Sequence, residues 1–409
     1  MSVASVTMAI PFVDAHQPGP RRLRSPGAAL KRARAARQGI EEASSPPREA
    51  ASREVSDPVT RRESMVEITS EVYVRSVGSC LPPRMSTRQA VDQGLYEAGD
   101  LEFMGLTGTL VAGGDLSPAH MATAAAATAL ERAGIGSAEL DSVIHSSVFQ
   151  PGPDGWSLPG YILRELGGGN AGVIELRTGC SGMLSAMELA VGQLTGAQKH
   201  GSVLLTAADH MGPWLERWPS DVYLPGDAGS AMVLGTAGGF ARIRSITSGT
   251  VPQLERMNRG DEPLHPPGPR GFVDLRTRHA SVTEHMADRE AAELMAALNT
   301  ELAERAIAEA GLKAADITRA VYHNMAGFIV DFFLSRIGLS MEQSSWEFGR
   351  TVGHLGCSDQ AVALEHLLLG GELAPGDHVL LCGASAGFAT VCVVLEIVEV
   401  PSWPALAVG

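Results

Sequence analysis

The stretch that decides the fold covers residues 173–194 and reads VIELRTGCSGMLSAMELAVGQL. Its first four residues form a short β-branched run, which predicts the end of a strand, and a glycine soon interrupts it. The apolar residues that follow recur at helical spacing. Others (Leu184, Ala186, Leu189) occupy the remaining faces, so we expect a helix that is buried nearly all round. Cys180 therefore lies where a strand turns into a buried helix.

This position of Cys180 suits a nucleophile. The free N–H groups at a helix start and the positive end of the helix dipole, roughly half a charge, favour a thiolate. The pKa of a free thiol, about 8.5, can be lowered towards 7 in such a position. Glycine and serine neighbours leave room for a substrate carbonyl. The alternative is an inert core cysteine, because free cysteine is among the most buried residue types.

Composition narrows the class of protein. The chain has 409 residues, enough for two core-forming units, and 44% of them are apolar, as in a compact globular enzyme. No run approaches 18 uninterrupted apolar residues, so no transmembrane helix is expected. Five widely spaced cysteines match neither a disulfide framework nor a metal-ligand pattern. We therefore expect a cytoplasmic protein without a metal site.

Charge separates the N-terminal segment from the rest. Residues 1–64 carry a net charge of +4 and the remainder −18, which argues against nucleic acid as a partner of the main body. This segment is rich in Arg, Ala, Ser and Pro and lacks the apolar core of a secretory signal. Its seven acidic residues count against an organellar presequence. We predict a disordered extension, with Met65 as an alternative start.

The chain repeats itself at an offset of 177 residues. Residues 129–144 resemble residues 306–321, and the Gly-Cys-Ser around Cys180 recurs around Cys357. Each copy carries a helix, a turn, a strand, a buried helix and a strand. This order predicts two related α/β halves, residues 65–245 and 246–409, with largely parallel sheets and a site between them. Between the repeats, residues 252–278 form an irregular insertion that we expect to act as a lid or substrate wall.

A cysteine nucleophile needs a base and a group that orients it. His323 follows an apolar strand and precedes an apolar helix, where side chains of α/β folds emerge into active sites. A capping or core histidine is the alternative interpretation. His354 and Asp359 lie in the second-half counterpart of the Cys180 turn. By internal symmetry they should face the same cleft.

Taken in order, these segments resemble the thiolase superfamily, and specifically ketoacyl-acyl-carrier-protein synthase III. The resemblance runs from about residue 66 to residue 399. It rests on TGCSG from position 178, GDAGSA from 226, YHN from 322 and PGDHVLLCGASAG from 375. It implies a five-layered αβαβα fold, a homodimer and an acyl-cysteine intermediate. It also implies that the backbone N–H groups of Cys180 and Gly387 hold the acyl oxyanion.

The departures from this family bear on the reaction. Synthase III pairs its histidine with an asparagine, and together they hold the enolate formed by decarboxylating malonyl carrier. Here His354 takes the asparagine position, and Asp359 follows five residues later. A Cys–His–carboxylate set suits plain acyl transfer to a hydroxyl or amine, as in the synthase III-like acyltransferases of natural-product pathways. We expect His323 as the base and Asp359 as its orienting group, with His354 as the alternative in the orienting role.

The sequence also bears on the acyl donor and leaves two alternative functions open. The Arg-rich segment with which synthase III engages coenzyme A is replaced by MGLTGTLVAGG from position 104, which favours an acyl carrier protein as donor over coenzyme A. No cofactor is expected beyond the phosphopantetheine that carries the acyl group. One alternative is a true ketosynthase that performs decarboxylative Claisen condensation. Another is a non-catalytic partner subunit, although such subunits typically lack the cysteine that this chain keeps.

Overall fold

The computed structural model describes residues 71–404, except 197–200, 219–221, 266–271, 276, 279–285 and 386. The predicted disordered extension, residues 1–64, lies outside the described residues. Within the described part of the chain, no helix has both the length and the apolar content needed to cross a membrane.

Strands and helices alternate along the described chain. The strands are β1 (Tyr73–Cys80), β2 (Arg84–Ser86), β3 (Gly108–Leu110), β4 (Ser142–Ser146), β5 (Gly172–Leu176), β6 (Ser202–Asp209), β7 (Ala228–Gly235), β8 (Ala241–Thr250), β9 (Arg319–Val321), β10 (His378–Ser385) and β11 (Ala389–Ile397). The α-helices are α1 (Thr87–Asp92), α2 (Ala98–Met104), α3 (Pro118–Ala133), α4 (Leu158–Glu165), α5 (Gly182–Thr195), α6 (Asp288–Glu309), α7 (Gly327–Arg336), α8 (Trp346–Val352) and α9 (Asp359–Leu369).

The main sheet consists of two half-sheets joined at one narrow seam. Its strand order is β5-β4-β6-β7-β1-β8-β11-β10-β9. At the seam, β1 and β8 pair only through Tyr73 with Arg242 and Val74 with Ala241. The pairs β4–β5, β4–β6 and β9–β10 are parallel, and the other pairs of this sheet are antiparallel. The prediction of largely parallel sheets is therefore wrong. Burial on both faces does not fix strand direction, and the three residues between β10 and β11 are too few for a parallel crossover.

The helices complete five layers. Helices α5 and α9 lie between the half-sheets and contact strands of both. Helices α3 and α4 cover the outer face of the first half-sheet, and α6 and α7 pack on the outer side of the second half. The main apolar core fills the central layer. The predicted five-layered αβαβα arrangement is confirmed.

The duplication is visible in the elements themselves. Helix α5 begins at Gly182 and α9 begins at Asp359, which preserves the offset of 177 residues. Strand β5, which borders β4 in the first half, has only an isolated bridge between Ala320 and Ser344 as its counterpart beside β9. The predicted boundary between residues 245 and 246 falls inside β8, the strand that begins the second half-sheet.

Helix α5 follows the predicted pattern except on one face. Its residues Met183, Leu184 and Met187 are fully buried, as the helical spacing predicts. Leu189 was expected to be buried too, but 45% of its surface is exposed. The helix is therefore covered on most of its circumference and leaves one apolar position open.

Candidate active site

Cys180 lies in the short turn between β5 and α5. This 3₁₀ turn, Gly179–Ser181, packs against its counterpart Gly356–Ser358 from the second half. The two equivalent thiols differ in exposure, because Cys180 is partly exposed whereas Cys357 is fully buried. The Cys357 thiol donates a hydrogen bond to the Gly179 carbonyl at 3.0 Å. Of this pair, Cys180 is the thiol that a substrate can reach.

A glycine allows the two turns to approach so closely. A Cβ atom on Gly182 would lie 2.8 Å from the Cβ of Ser146 and 2.9 Å from the Sγ of Cys357. Real Cβ atoms are essentially never found so near to other heavy atoms, so a side chain here would push the halves apart. The glycine after Ser181 thus keeps the nucleophile turn close to the second-half turn.

His354 lies between the thiol and the carboxylate. Its Nε2 atom is 3.1 Å from the Sγ of Cys180, and its Nδ1 atom is 2.5 Å from Oδ2 of Asp359. Its backbone is held on both sides, because its N–H donates to the Leu224 carbonyl and its carbonyl accepts from the Gly226 N–H, each at 2.8 Å. The imidazole is therefore placed to exchange a proton with Cys180.

Asp359 is fully buried and accepts several hydrogen bonds. Its Oδ1 accepts from the Leu355 N–H and the Asn324 amide, each at 2.8 Å. Its Oδ2 faces His354, His323 at 2.9 Å and the Asn324 N–H. Burial alone would raise the pKa of this carboxyl group, but the two imidazoles outweigh it and hold the pKa well below its usual value. Asp359 is therefore ionised throughout the physiological range.

His323 supports Asp359 and does not contact Cys180. Its Nδ1 faces Asp359, and its Nε2 lies 2.7 Å from the Ala384 carbonyl oxygen and 2.8 Å from the Ala384 nitrogen. Burial lowers the pKa of His323, so the ring is neutral. With Nδ1–H donating to the carboxylate, Nε2 accepts the Ala384 N–H. The sequence favoured His323 as the base, but the structure brings His354 within hydrogen-bond distance of the thiol. Which of the two imidazoles acts as the base stays a prediction.

Charge explains why His354 readily carries a proton. Burial disfavours the imidazolium, but the charges of Asp359 and Cys180, together with their hydrogen bonds, raise the pKa of His354 well above its usual value. His354 and Asp359 therefore form an imidazolium–carboxylate pair.

Asp209, at the end of β6, was not singled out from the sequence. It is fully buried, and its oxygens accept the N–H groups of Val148 at 2.8 Å, Phe149 at 3.3 Å and Cys357 at 3.2 Å. Burial raises its pKa to about 6. It joins the loop after β4 to the second-half turn, so it helps to hold both walls of the cleft. The only sequence signal was its place at the end of a buried strand.

Gly387 and the insertion of residues 252–278 lie next to each other, near the nucleophile turn. Gly387 has φ +82° in the connection between β10 and β11, which favours glycine. Strand β10 passes the nucleophile turn at Gly383, where an added Cβ would lie 3.3 Å from the Cα of Ser181. The insertion contacts both halves, since Glu255 borders Gly387 and the Val273 N–H donates to the Trp214 carbonyl at 2.8 Å. The oxyanion role of Gly387 stays a prediction.

Among the described residues, one group has the spacing to hold a metal ion, and it consists of His323, His354 and Asp359. Their ligand atoms lie within 4.8 Å of one another. These atoms already bond each other directly through the two imidazole–carboxylate contacts. The arrangement is thus accounted for by hydrogen bonding, and the expectation of no metal site stays a prediction.

Comparison with known proteins identifies the family. The family model for the C-terminal part of 3-oxoacyl-[acyl-carrier-protein] synthase III matches residues 307–397. The solved structure of the acyltransferase ChlB3 is 38% identical, covers 82% of this chain and all of its own, and superposes with a TM-score of 0.77. The chain belongs to the synthase III-like family of the thiolase superfamily. It is an enzyme of that family, as the sequence predicted.

Two further relatives show how varied the reactions of similar chains are. Acetoacetyl CoA synthase NphT7 of Streptomyces sp. (strain CL190) is 28% identical over 299 residues, which cover 69% of this chain and 84% of that protein. β-Ketoacyl-[acyl-carrier-protein] synthase III 3 of Streptomyces coelicolor is 27% identical over 350 residues, covering 83% and 99%. The named relatives thus include synthases as well as an acyltransferase, and family membership alone does not select the reaction.

Proposed function

We propose that this chain is an acyltransferase. It loads an acyl group from an acyl carrier protein, or from coenzyme A, onto Cys180 and passes it to a hydroxyl or amine acceptor in secondary metabolism. The observation that carries the proposal is the position of His354, whose ring bridges the Cys180 thiol and the Asp359 carboxylate. This is the arrangement of nucleophile, base and orienting group that acyl transfer requires.

In the loading step the Cys180 thiolate attacks the thioester carbonyl of the donor. The new C–S bond forms as the bond to the phosphopantetheine sulfur breaks, and the imidazolium of His354 gives its proton to the departing thiolate. Backbone N–H groups at Cys180 and Gly387 would stabilise the oxyanion between these events. The donor leaves as a free thiol, and His354 is left neutral.

In the transfer step His354 acts as the base. Its neutral Nε2 removes the proton of the acceptor hydroxyl or amine as the acceptor attacks the acyl carbon, and the Cys180 thiolate departs. The Asp359 carboxylate stabilises the imidazolium that forms and keeps Nδ1 protonated. The cycle ends with the same ion pair with which it began.

Two observations disfavour condensation. An enolate oxygen needs two neutral donors, yet the Nε2 atom of His323 is engaged by the Ala384 N–H. The buried Asp359 carboxylate also places negative charge near the position where an enolate would develop. Coulomb repulsion in a cleft of low dielectric opposes that charge.

Similarity to other proteins supports the same choice. ChlB3, at 38% identity, is named as an acyltransferase. The synthase names of the more distant relatives support the second candidate, a synthase III that condenses carbon chains. A non-catalytic subunit is a weaker candidate, because the described chain keeps both the thiol and its hydrogen-bonded imidazole. The names of the relatives mention carrier protein and CoA, the two donors that we propose.

The proposal is tested by loading and chase. The protein is incubated with a panel of acyl carriers and acyl-CoA thioesters, and intact-protein mass spectrometry follows the adduct, with Cys180→Ser as the control. Adding a panel of alcohols and amines should discharge the adduct as an ester or amide. An enzyme that forms no adduct on Cys180, or whose adduct no alcohol or amine discharges, would contradict the proposal.

A further inference from the structure

Tyr223 belongs to a segment that is clamped next to the base. The Val222 carbonyl accepts the Ala326 N–H at 2.8 Å, and the Leu224 carbonyl accepts the His354 N–H at the same distance. The Pro225 carbonyl accepts from the Thr109 hydroxyl at 2.9 Å. With its backbone held on either side, Tyr223 has little freedom to leave the cleft.

The ring of Tyr223 contacts the ring of His354 edge-on. Their centroids are 5.0 Å apart and their planes make an angle of 75°. This contact places the phenol beside the imidazole that receives the proton of the acceptor in the proposed transfer step. An acceptor bound at Nε2 of His354 therefore lies near Tyr223.

The hydroxyl of Tyr223 is available to hydrogen-bond a substrate. The side chain is partly buried, and no hydrogen bond joins its hydroxyl to another described residue. Burial and the charge of Cys180 raise the pKa of Tyr223 well above its usual value, so the hydroxyl stays protonated. It is a neutral donor and acceptor next to the reacting groups, and a partly desolvated hydroxyl gains from a partner.

We propose that the Tyr223 hydroxyl hydrogen-bonds a second polar group of the acceptor, next to the hydroxyl or amine that is acylated. This inference rests on the proposed acyl transfer and specifies its acceptor class, which is a compound with two neighbouring polar groups such as a diol or an amino alcohol. One polar group meets His354 and reacts, while the other meets Tyr223 and fixes the orientation. Loading of Cys180 does not involve this contact.

The test compares two acceptors in wild type, one variant and one control variant. Wild type and Tyr223→Phe, which keeps the ring against His354, are pre-acylated and chased with propane-1,2-diol or with propan-1-ol. Tyr161→Phe, on helix α4 in the outer layer, is the matched control for the loss of a phenol hydroxyl. Single-turnover loading and the kcat/KM of each acceptor are measured separately.

We expect wild type to prefer the diol and Tyr223→Phe to lose about tenfold towards the diol, as one hydrogen bond of about 1.4 kcal/mol would give. Loading and transfer to the monohydric alcohol should change less than about twofold, and Tyr161→Phe should behave as wild type. Equal wild-type rates with both alcohols would overturn the inference even if the Phe variant fails to fold. So would an equal loss in loading and transfer, or no loss at all. A wild type that loads but acylates no alcohol or amine would instead defeat the proposed function.

Discussion

The Nε2 atom of His354 lies 3.1 Å from the Sγ of Cys180, although the two residues belong to different halves of the duplicated fold. Each lies in the segment that precedes the central helix of its own half, Cys180 before α5 and His354 before α9. The two halves thus contribute complementary chemistry from corresponding segments, a nucleophile from the first and a base with its carboxylate from the second. This division of roles underlies the predictions below.

The two histidines should differ in their effect on the reaction. His354→Gln removes the base and should lower the rate of acyl transfer by a factor on the order of 10² to 10⁴. His323→Gln can still donate a hydrogen bond to Asp359 from its amide, so its loss should stay below about tenfold. Single-turnover transfer from pre-acylated enzyme measures both. A larger loss for His323→Gln than for His354→Gln would return the base to His323.

The pH dependence of transfer should report the charge of Asp359. His354 must be neutral to take the proton, so the transfer rate should rise with pH. In the acylated enzyme Cys180 carries no charge, and the Asp359 carboxylate is the named group that still raises the pKa of His354. Asp359→Asn removes a negative charge that raises this pKa. The midpoint should therefore move to lower pH while the plateau rate falls. A midpoint that stays fixed in the Asn variant would show that the carboxylate does not act on His354.

Asp209 should make the free energy of unfolding depend on pH. Its pKa is about 6 in the folded protein against 3.8 as the usual value, so the folded state binds the proton more tightly. Stability should then fall as pH rises from 3.8 to about 6 and level off above, by about 3 kcal/mol in total. Denaturant unfolding of wild type and Asp209→Asn at several pH values in this range measures the slope of the free energy of unfolding against pH in each protein. Identical slopes in the two proteins would contradict the assignment.

The exposed edge of the first half should be the interface of a homodimer. Strand β5 borders the sheet, its Val173 is 44% exposed, and Leu189 of α5 is 45% exposed. Unpaired edge strands and exposed apolar side chains are costly unless a partner covers them. Val173→Lys with Leu189→Lys should weaken the dimer in light scattering, whereas Leu95→Lys, which changes a comparably exposed leucine, should not. A wild-type monomer at micromolar concentration would overturn the interface.

Sequence reasoning reached the local features of the site because they depend on neighbouring residues. The helix spacing after Cys180 predicted α5. The offset of 177 residues predicted that His354 and Asp359 face the same cleft as Cys180.

The remaining features depend on long-range geometry, which spacing does not encode. Which of His323 and His354 reaches Cys180 is decided by how the second-half turn is pinned to Leu224 and Gly226, and by the hydrogen bond from Ala384 that occupies His323. Strand direction likewise depends on connections, since buried apolar runs look alike in parallel and antiparallel neighbours.

The central claim is that Cys180 hands on its acyl group without forming a carbon–carbon bond. The most direct measurement supplies pre-acylated enzyme with carboxyl-labelled malonyl carrier and an alcohol or amine acceptor in one vessel, and follows both the label and the product. We predict an intact acyl ester or amide, with the label retained on malonyl carrier. Release of labelled carbon dioxide in step with a 3-oxoacyl product would contradict the account and identify a condensing synthase.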